Sequence, residues 1–376
     1  MKFILSSVTL LQKLNLMVGV VEKTPVIPIL ENFLFEIETG TLKVTASDLQ
    51  TTITAEIDIE LCESGKFALP ARILMDTLKH LPEQPIQFNV DLGNFSIEIK
   101  TDIGLYKIAG EDPSDFPIIH EFPDNGYIEI TGEILSRAID KTLFACSNDE
   151  LRPALTGVHM NINSGVGIKF ASTDGHILVT CERNDITISK DSSIIVPGKS
   201  LLLLKKIIGK TMSVMHMNHD SENAFFHFNE INMVCRLFDE KYPNYSNVIP
   251  KDNNKIIFID RMDLLNSIKR VGFYTNKTLK QIRLKLTDNK LKIIAEDFKF
   301  SNEAREEINC EYQGEEIEIG FNFKLMLDIL KNHNSKKLKI ELSTPNKAAL
   351  FMPDEDLENE NLLMLLMPIM LGAKTY

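Results

Sequence analysis

The sequence predicts an α+β chain made of three similar domains, each with two helices packed on antiparallel sheets. Three matched sets of segments carry this expectation. Gly40–Asp48, Val166–Asp174 and Asn289–Asp297 each alternate apolar residues and end in an aspartate, with the aspartates 126 and 123 positions apart. Such alternation is the mark of a half-buried strand. Downstream of each, Phe67–Pro82, Ile194–Gly209 and Ile317–His333 read as a strand, a tight corner and an amphipathic helix. Upstream of each lies a helical segment: Val8–Val20, Glu133–Cys146 and Met262–Val271. Three sets in one order at one period are the signature of internal repetition.

Each copy closes with a segment that reads as a hairpin, at Ile86–Ile108, Met212–Phe238 and Leu338–Met352. Polar, turn-rich stretches, FPDNG and PKDNNK, place the boundaries near Asn125 and Asn253. The expected domains are therefore 1–124, 125–252 and 253–376. A chain of 376 residues exceeds one ordinary domain, which agrees with this division. Hydrophobic residues at 44% and charged residues at 25% exclude wholesale disorder.

The cysteines (Cys62, Cys146, Cys181, Cys235, Cys310) are odd in number and scattered, without a CxxC or Cys/His cluster, as expected of reduced thiols in the cytoplasm. The N-terminal apolar run is broken by Gln12, Lys13 and Asn15 and has no small-residue cleavage site, unlike a signal peptide. The run Leu362–Leu371 is about half the length of a membrane span. A soluble, cytoplasmic protein with no membrane partner is expected.

The net charge of −12 argues against nucleic acid only if it is spread evenly. It is not. The six helical segments 8–20, 72–81, 132–146, 198–210, 261–270 and 322–333 carry a net +9, which leaves −21 on the rest of the chain. A basic helical surface backed by acidic strands would hold DNA through phosphate alone, weakly and without base readout.

No catalytic constellation is present. Asp174 and His176 in TDGH lack any nucleophile signal and read as a turn. Gly209-Lys210-Thr211 resembles the end of a phosphate loop, but Leu204 stands where its first glycine is needed. His216, His219 and Asp220 have weak metal-ligand spacing in a hairpin turn. No enzyme activity, cofactor or metal is expected. The alternative from another class is a three-repeat scaffold that binds proteins only.

The opening MKF, TPVIPIL (Thr24–Leu30), TDGH (Thr173–His176), YPNY (Tyr242–Tyr245) and the terminal MPIML (Met367–Leu371) resemble, in order and spacing, the bacterial sliding clamp family, the beta subunit of DNA polymerase III. The resemblance covers essentially the whole chain. It implies clamp-type domains in a head-to-tail homodimeric ring of six pseudo-equivalent domains, with helices lining the hole. It further implies a non-catalytic processivity factor that encircles duplex DNA and slides without sequence specificity. Its partners would be double-stranded DNA, a second copy of itself, the polymerase III catalytic subunit, the clamp loader complex, and other replication and repair proteins that carry a clamp-binding motif.

Carried over residue by residue, the family's peptide-binding pocket comprises Leu155, Thr173, Gly175, His176 and Leu178 from the middle copy and its flank. Pro243 and Val248, then Leu365, Met367, Pro368 and Ile369, complete it. Apolar walls with methionines suit varied peptide ligands. Ile177, Asn247 and Met370 belong to the same set but stand where well-known members carry rim arginines. The final GAKTY extends past the family's usual end and is expected to adjust partner affinity.

Lys23, Arg72, Arg152, Lys199 and Lys206 fall on or beside basic positions that face DNA in the family. Pro153 and Ala154 replace tyrosines that contact DNA in some relatives. The ring joint would set Tyr106, Lys107 and Ile108 of the first domain against Phe273 and Tyr274 of the third, with Glu303, Glu306 and Glu307 near Lys107.

Overall fold

The computed structural model describes residues 1–60, 63–123, 126–209, 212–355 and 357–371. Cys62, the boundary residue Asn125, Lys210, Thr211 and the GAKTY tail lie outside the described residues. The threefold repetition is plain in the element order. The first copy runs β1 (Lys2–Ser6), α1 (Ser7–Met17), β2 (Asn32–Glu38), β3 (Thr41–Ser47), β4 (Thr51–Asp58), β5 (Gly65–Pro70), α2 (Ala71–Lys79), β6 (Pro85–Asp91), β7 (Ser96–Lys100) and β8 (Leu105–Ala109). The second runs β9 (Ile128–Thr131), α3 (Gly132–Thr142), β10 (Gly157–Asn163), β11 (Gly167–Thr173), β12 (Ile177–Arg183), β13 (Ser192–Pro197), α4 (Gly198–Ile208), β14 (Val214–His219), β15 (Asn223–Phe228) and β16 (Ile231–Arg236). The third runs β17 (Lys255–Asp260), α5 (Arg261–Gly272), β18 (Gln281–Thr287), β19 (Lys290–Asp297), β20 (Asn302–Asn309), β21 (Ile317–Asn322), α6 (Phe323–Asn332), β22 (Lys337–Leu342), β23 (Ala349–Pro353) and β24 (Glu360–Leu366).

The closing segments are larger than expected. Each is a three-stranded meander, β6–β8, β14–β16 and β22–β24, where the sequence suggested a hairpin. In the third copy most of the last strand, β24, falls in the apolar run, which masked it. All strand pairing among the described residues is antiparallel.

The repeated aspartate has a local cause. Asp48 Oδ1 accepts the backbone N–H of Gln50 (3.0 Å) and Thr51 (2.7 Å), closing the β3–β4 turn. Asp174 Oδ1 does the same for His176 (2.8 Å) and Ile177 (2.7 Å), and Asp297 Oδ1 accepts from Lys299 (3.1 Å). Aspartate is retained because its short carboxylate satisfies amides that the turn leaves unpaired.

Helix starts are equally local. Asp260 accepts from Met262 and Asp263 at the start of α5, and Asn322 accepts from Lys324 at the start of α6. Pro70 and Pro197 end β5 and β13, both edge strands, where a missing N–H costs no ladder bond.

The chain divides into two compact units. One comprises Met1–Ser136 with Lys199–Phe238, the other Arg137–Gly198 with Asp239–Tyr376. The reason is strand pairing between copies. In the first unit β4 pairs with β16, giving an eight-stranded sheet ordered β5-β2-β3-β4-β16-β15-β14-β9. In the second, β12 pairs with β24, giving β13-β10-β11-β12-β24-β23-β22-β17. Each unit also holds a four-stranded sheet, β1-β6-β7-β8 in the first and β20-β19-β18-β21 in the second.

Aromatic residues fill the first unit's core: Phe3 stacks on Phe88 at 4.7 Å and Phe35 on Phe67 at 5.1 Å. Leu10, Leu14 and Met17 of α1 are wholly buried beneath them in sequence register i, i+4, i+7.

A buried ion cluster ties α3 to β24 in the second unit. Arg137 donates to Glu360 from Nε (2.5 Å) and Nη2 (2.8 Å), and Arg183 Nη1 reaches the same carboxylate at 3.1 Å. Arg183 is in turn held by Asp185. The Glu360 side chain is 3% exposed, and although burial opposes its charge, Arg137 and Arg183 hold its pKa below the usual carboxylate value. Removing one partner of such a cluster strands the others in a dry site. Glu360→Ala is expected to lower the unfolding free energy by about 3–5 kcal/mol in a urea titration, and a loss under about 1 kcal/mol would show the cluster to be solvated.

Candidate functional site

The residues of the expected peptide pocket all fall in the second unit, and backbone bonds bring several of them together. Thr173 and Leu178 face each other across the β11–β12 turn, and Leu178 lies opposite Leu365 of β24. Thr173 Oγ1 donates to Ile177 O (2.5 Å) and accepts from Gly175 N (3.0 Å), while Gly175 sits at φ +93°, a conformation that favours glycine. Met367 N donates to His176 O at 2.9 Å, so the chain leaves β24 directly beside this turn. Ile369 N then donates to Gly320 O at 2.8 Å, which docks Met367, Pro368 and Ile369 against β21.

The segment 243–248 is anchored from below. Tyr242 is buried, stacks on His159 at 4.9 Å and meets Tyr245 edge-on at 6.1 Å. Burial raises its hydroxyl pKa, and that hydroxyl lies beside the Thr173 backbone. Leu155 belongs to the 3-10 turn Pro153–Thr156, joined to the chain just before that segment where Ala154 N donates to Glu240 Oε2 (3.2 Å). The YPNY motif is thus a two-tyrosine anchor that presents Pro243, Asn247 and Val248 to solvent.

The set separates into a buried floor and an exposed border. Leu155, Leu178 and Leu365 are buried; Gly175, His176, Pro243, Asn247, Val248, Met367 and Met370 are exposed, the last at 76%. Pro368 and Ile369 are half-buried. Ile177 is not on the border where the resemblance put it. It is buried opposite Leu366, because the β12–β24 ladder takes up its face of the strand.

The basic residues singled out are exposed, but most are engaged. Lys199, in the first turn of α4, donates to Asp48 (2.7 Å) and Glu22 (3.0 Å). Burial works against its charge, and the two carboxylates outweigh that and raise its pKa. Lys206 donates to Asn15 O, and Arg152 Nε donates to Asp149 at 2.9 Å. Lys23 and Arg72 are open to solvent. Arg152 lies in the second unit and the other four in the first.

The residues expected at a chain–chain joint lie at sheet edges or beside them. Tyr106, Lys107 and Ile108 are on β8, an edge strand, with Ile108 buried and Lys107 paired to Glu98 at 2.8 Å. Phe273 and Tyr274 follow α5, with Phe273 86% exposed. Glu303, Glu306 and Glu307 are on β20, the outer strand of the other four-stranded sheet. They already pair within the chain, with Arg305, Arg270, and Lys290 and Lys292 respectively.

Two features went unread in the sequence. Gly320 admits the terminal segment, since a Cβ there would lie 2.7 Å from Ile369 O. Phe298 and Phe300, in the turn that follows Asp297, are 87% and 62% exposed. Aromatic residues beside a repeat aspartate, where the other copies have LQ and GH, were the available signal. Asp220 closes the β14–β15 turn by accepting from Glu222 and Asn223, and no group of three metal-ligating side chains occurs among the described residues.

The DNA polymerase III beta subunit models match the chain three times in succession: the N-terminal domain over residues 1–120, the central domain over 129–244 and the C-terminal domain over 246–369. The chain belongs to the DNA polymerase III beta subunit family. The beta sliding clamp of Pseudomonas aeruginosa is 30% identical over 377 residues, covering 99% of this chain and all of the relative. That of Vibrio cholerae is 27% identical over 372 residues, with 99% and 100% covered. The crystal structure of the Pseudomonas aeruginosa sliding clamp with ligand superposes with a TM-score of 0.92 at 30% identity, covering 99% of this chain and 100% of that one. The Bacillus subtilis clamp shares the fold at a TM-score of 0.93 and 23% identity, with 99% and 100% covered. Members of this family are non-catalytic accessory subunits of the polymerase, and the three repeats are clamp domains.

Substituting Gly320 tests the docking of the terminal segment. Gly320→Val should displace Ile369 and Met367 and weaken binding of a clamp-motif peptide about tenfold or more while the global unfolding midpoint changes little. Unchanged affinity in fluorescence anisotropy would show that the segment does not shape the site.

Proposed function

We propose that the chain is a DNA polymerase processivity factor, a head-to-tail homodimeric ring that encircles duplex DNA, slides without sequence specificity and tethers the replicative polymerase. The observation that carries this reading is a set of three equivalent positions. The strand that follows each repeat aspartate opens at Thr51, Ile177 or Asn302. Thr51 is 1% exposed and lies opposite Cys235; Ile177 is 2% exposed and lies opposite Leu366. Asn302 is exposed, and Phe300 in the turn before it is 62% exposed. In the first two copies the last strand of a front sheet, β4 or β12, is covered by the last strand of the next copy, β16 or β24. The third copy's β20 has no such cover, and β8 of the first copy is the one closing strand that covers nothing. Pairing β20 of one chain with β8 of a second repeats the two internal joints a third time, and two chains joined twice make a closed ring. Phe273, Tyr274, Tyr106, Lys107 and Ile108 belong to this joint on the same reading.

Three domains divide the chain at 124/125 and 252/253, in the connections between β8 and β9 and between β16 and β17. Lys23, Arg72, Arg152, Lys199 and Lys206 contact phosphate. The floor of Leu155, Leu178 and Leu365 with its exposed border takes peptides of the polymerase catalytic subunit, the clamp loader and other clamp-motif proteins. The Pseudomonas aeruginosa sliding clamp bound to griselimycin, 30% identical, supports a ligand site on this fold. The protein works in the cytoplasm, and no helix among the described residues is long and apolar enough to cross a membrane.

Retention of the purified chain on nicked circular plasmid, loaded with clamp loader and ATP, tests the ring. Retention on the circle and loss from the linearised plasmid are expected; equal retention on both would mean surface binding and overturn the reading. Phe300→Glu should shift the chain from dimer to monomer in sedimentation velocity and abolish retention. A Phe300→Glu dimer of unchanged affinity would remove β20 from the joint.

A further inference from the structure

A cavity of about 520 Å³ opens in the second unit, away from the peptide floor, between the α6–β22 connection, the end of β23 and the start of β24. We propose that it binds a phosphate group, free or carried by a small monoester, which the His333 imidazole holds through Nε2. The proposal is independent of the ring reading.

His333 lines the cavity, is 1% exposed, and its Nε2 has no hydrogen-bond partner. Its Nδ1 lies 2.9 Å from Ser335 Oγ. When that hydroxyl donates to Nδ1, Nε2 carries the proton and can donate to an oxyanion. A buried ring nitrogen without a partner is uncommon enough to require one.

The charges around it favour an anion. Arg137 and Lys141 of α3 and Arg261 of α5 converge on the connection that carries His333. Lys141 donates to Asn332 O, and Arg261 donates to Ser335 O (2.9 Å) and Leu330 O (3.0 Å). Two of these carbonyls belong to the last turn of α6, whose partial negative charge offsets a fraction of one cation. Glu360 also lines the cavity and offsets one of these three cations, while Lys141 and Arg261 hold the connection without lining the cavity. Burial first, then Lys141, Arg261 and Arg137, together lower the His333 pKa to about 4 against the opposing pull of Glu360. The imidazole is therefore neutral at ordinary pH and feels a positive field.

The rest of the lining sets what else fits. Lys336 is an exposed ammonium at the mouth, beside the acidic and exposed Asp354 and Glu355. A phosphate would enter past Lys336 to the basic end and leave its other substituent toward Pro353, Leu357 and Leu362. The volume is that of a small-molecule site, so a monoester with a compact apolar group can be held.

Equilibrium dialysis of the full-length chain with radiolabelled inorganic phosphate, in chloride buffer of matched ionic strength, tests this. Saturable uptake at one site per chain is expected, lost in His333→Phe and weakened roughly tenfold in Lys336→Ala. Lys336 is exposed, so its variant decides the matter even if His333→Phe fails to fold. No saturable uptake, or uptake indifferent to Lys336→Ala (an adventitious ion only), overturns the site. Phenyl phosphate is the second probe: displacement of phosphate with higher affinity assigns a monoester, and equal or lower affinity assigns free phosphate.

Discussion

An antiparallel ladder cannot simply stop. The outer strand of a sheet carries a row of backbone donors and acceptors that must be paired, blunted or left to water. Each repeat has two sheets whose last strands face outward, and the fold depends on how these six edges are used. β4 with β16 and β12 with β24 dispose of four of them through continuous eight-stranded sheets. That continuity explains why three sequence repeats make two compact units: the middle copy's two sheets each belong to a neighbour's. It also leaves β8 and β20 as the chain's remaining pair. Closure by a second copy is then the same contact made between molecules.

Charge is arranged to match a surface that must hold DNA without fixing it. The helical segments are basic and the remainder strongly acidic, yet Lys199 and Lys206 spend their donors on Asp48, Glu22 and Asn15 O within the chain. On the proposed reading, a phosphate arriving at Lys199 would exchange one carboxylate for another oxyanion, with little net gain. Contacts of that kind are shallow and alike at every position along a duplex, which suits sliding.

Much of this was legible because the determinants are local. Strand alternation, the proline corners and the amphipathic helices are read from neighbours in sequence, and they located the three copies. The repeat aspartate was read correctly as a landmark but not as a cap, since its partners are backbone amides that any residue supplies. β20 escaped because NEAREEIN has no apolar alternation: it is an edge strand with charged residues along most of its length. What no local pattern could show is pairing between copies. Arg137 and Glu360 are 223 residues apart, and Ile177 meets Leu366 across a comparable gap. The carried-over pocket assignments fared by depth. Leu178 and Leu365 lie opposite each other, whereas Ile177 is interior because cross-strand packing with β24 decides its exposure.

The three joints differ in a way that bears on how a closed ring could open. The β12–β24 joint has seven residue pairs and the buried Glu360 cluster, and β4–β16 has five pairs; both lie within one covalent chain. The proposed joint would be built from the polar β20, whose glutamates keep solvent-exposed partners of their own, and from aromatic residues at its end. Exposed ion pairs contribute little, so its strength rests on Phe273, Phe298, Phe300 and the ladder to β8. A free monomer also gains from this composition, because a charged edge resists indiscriminate pairing while a few aromatics select one mate. The weakest contact thus falls where no peptide link crosses, and opening there exposes two edges already suited to water.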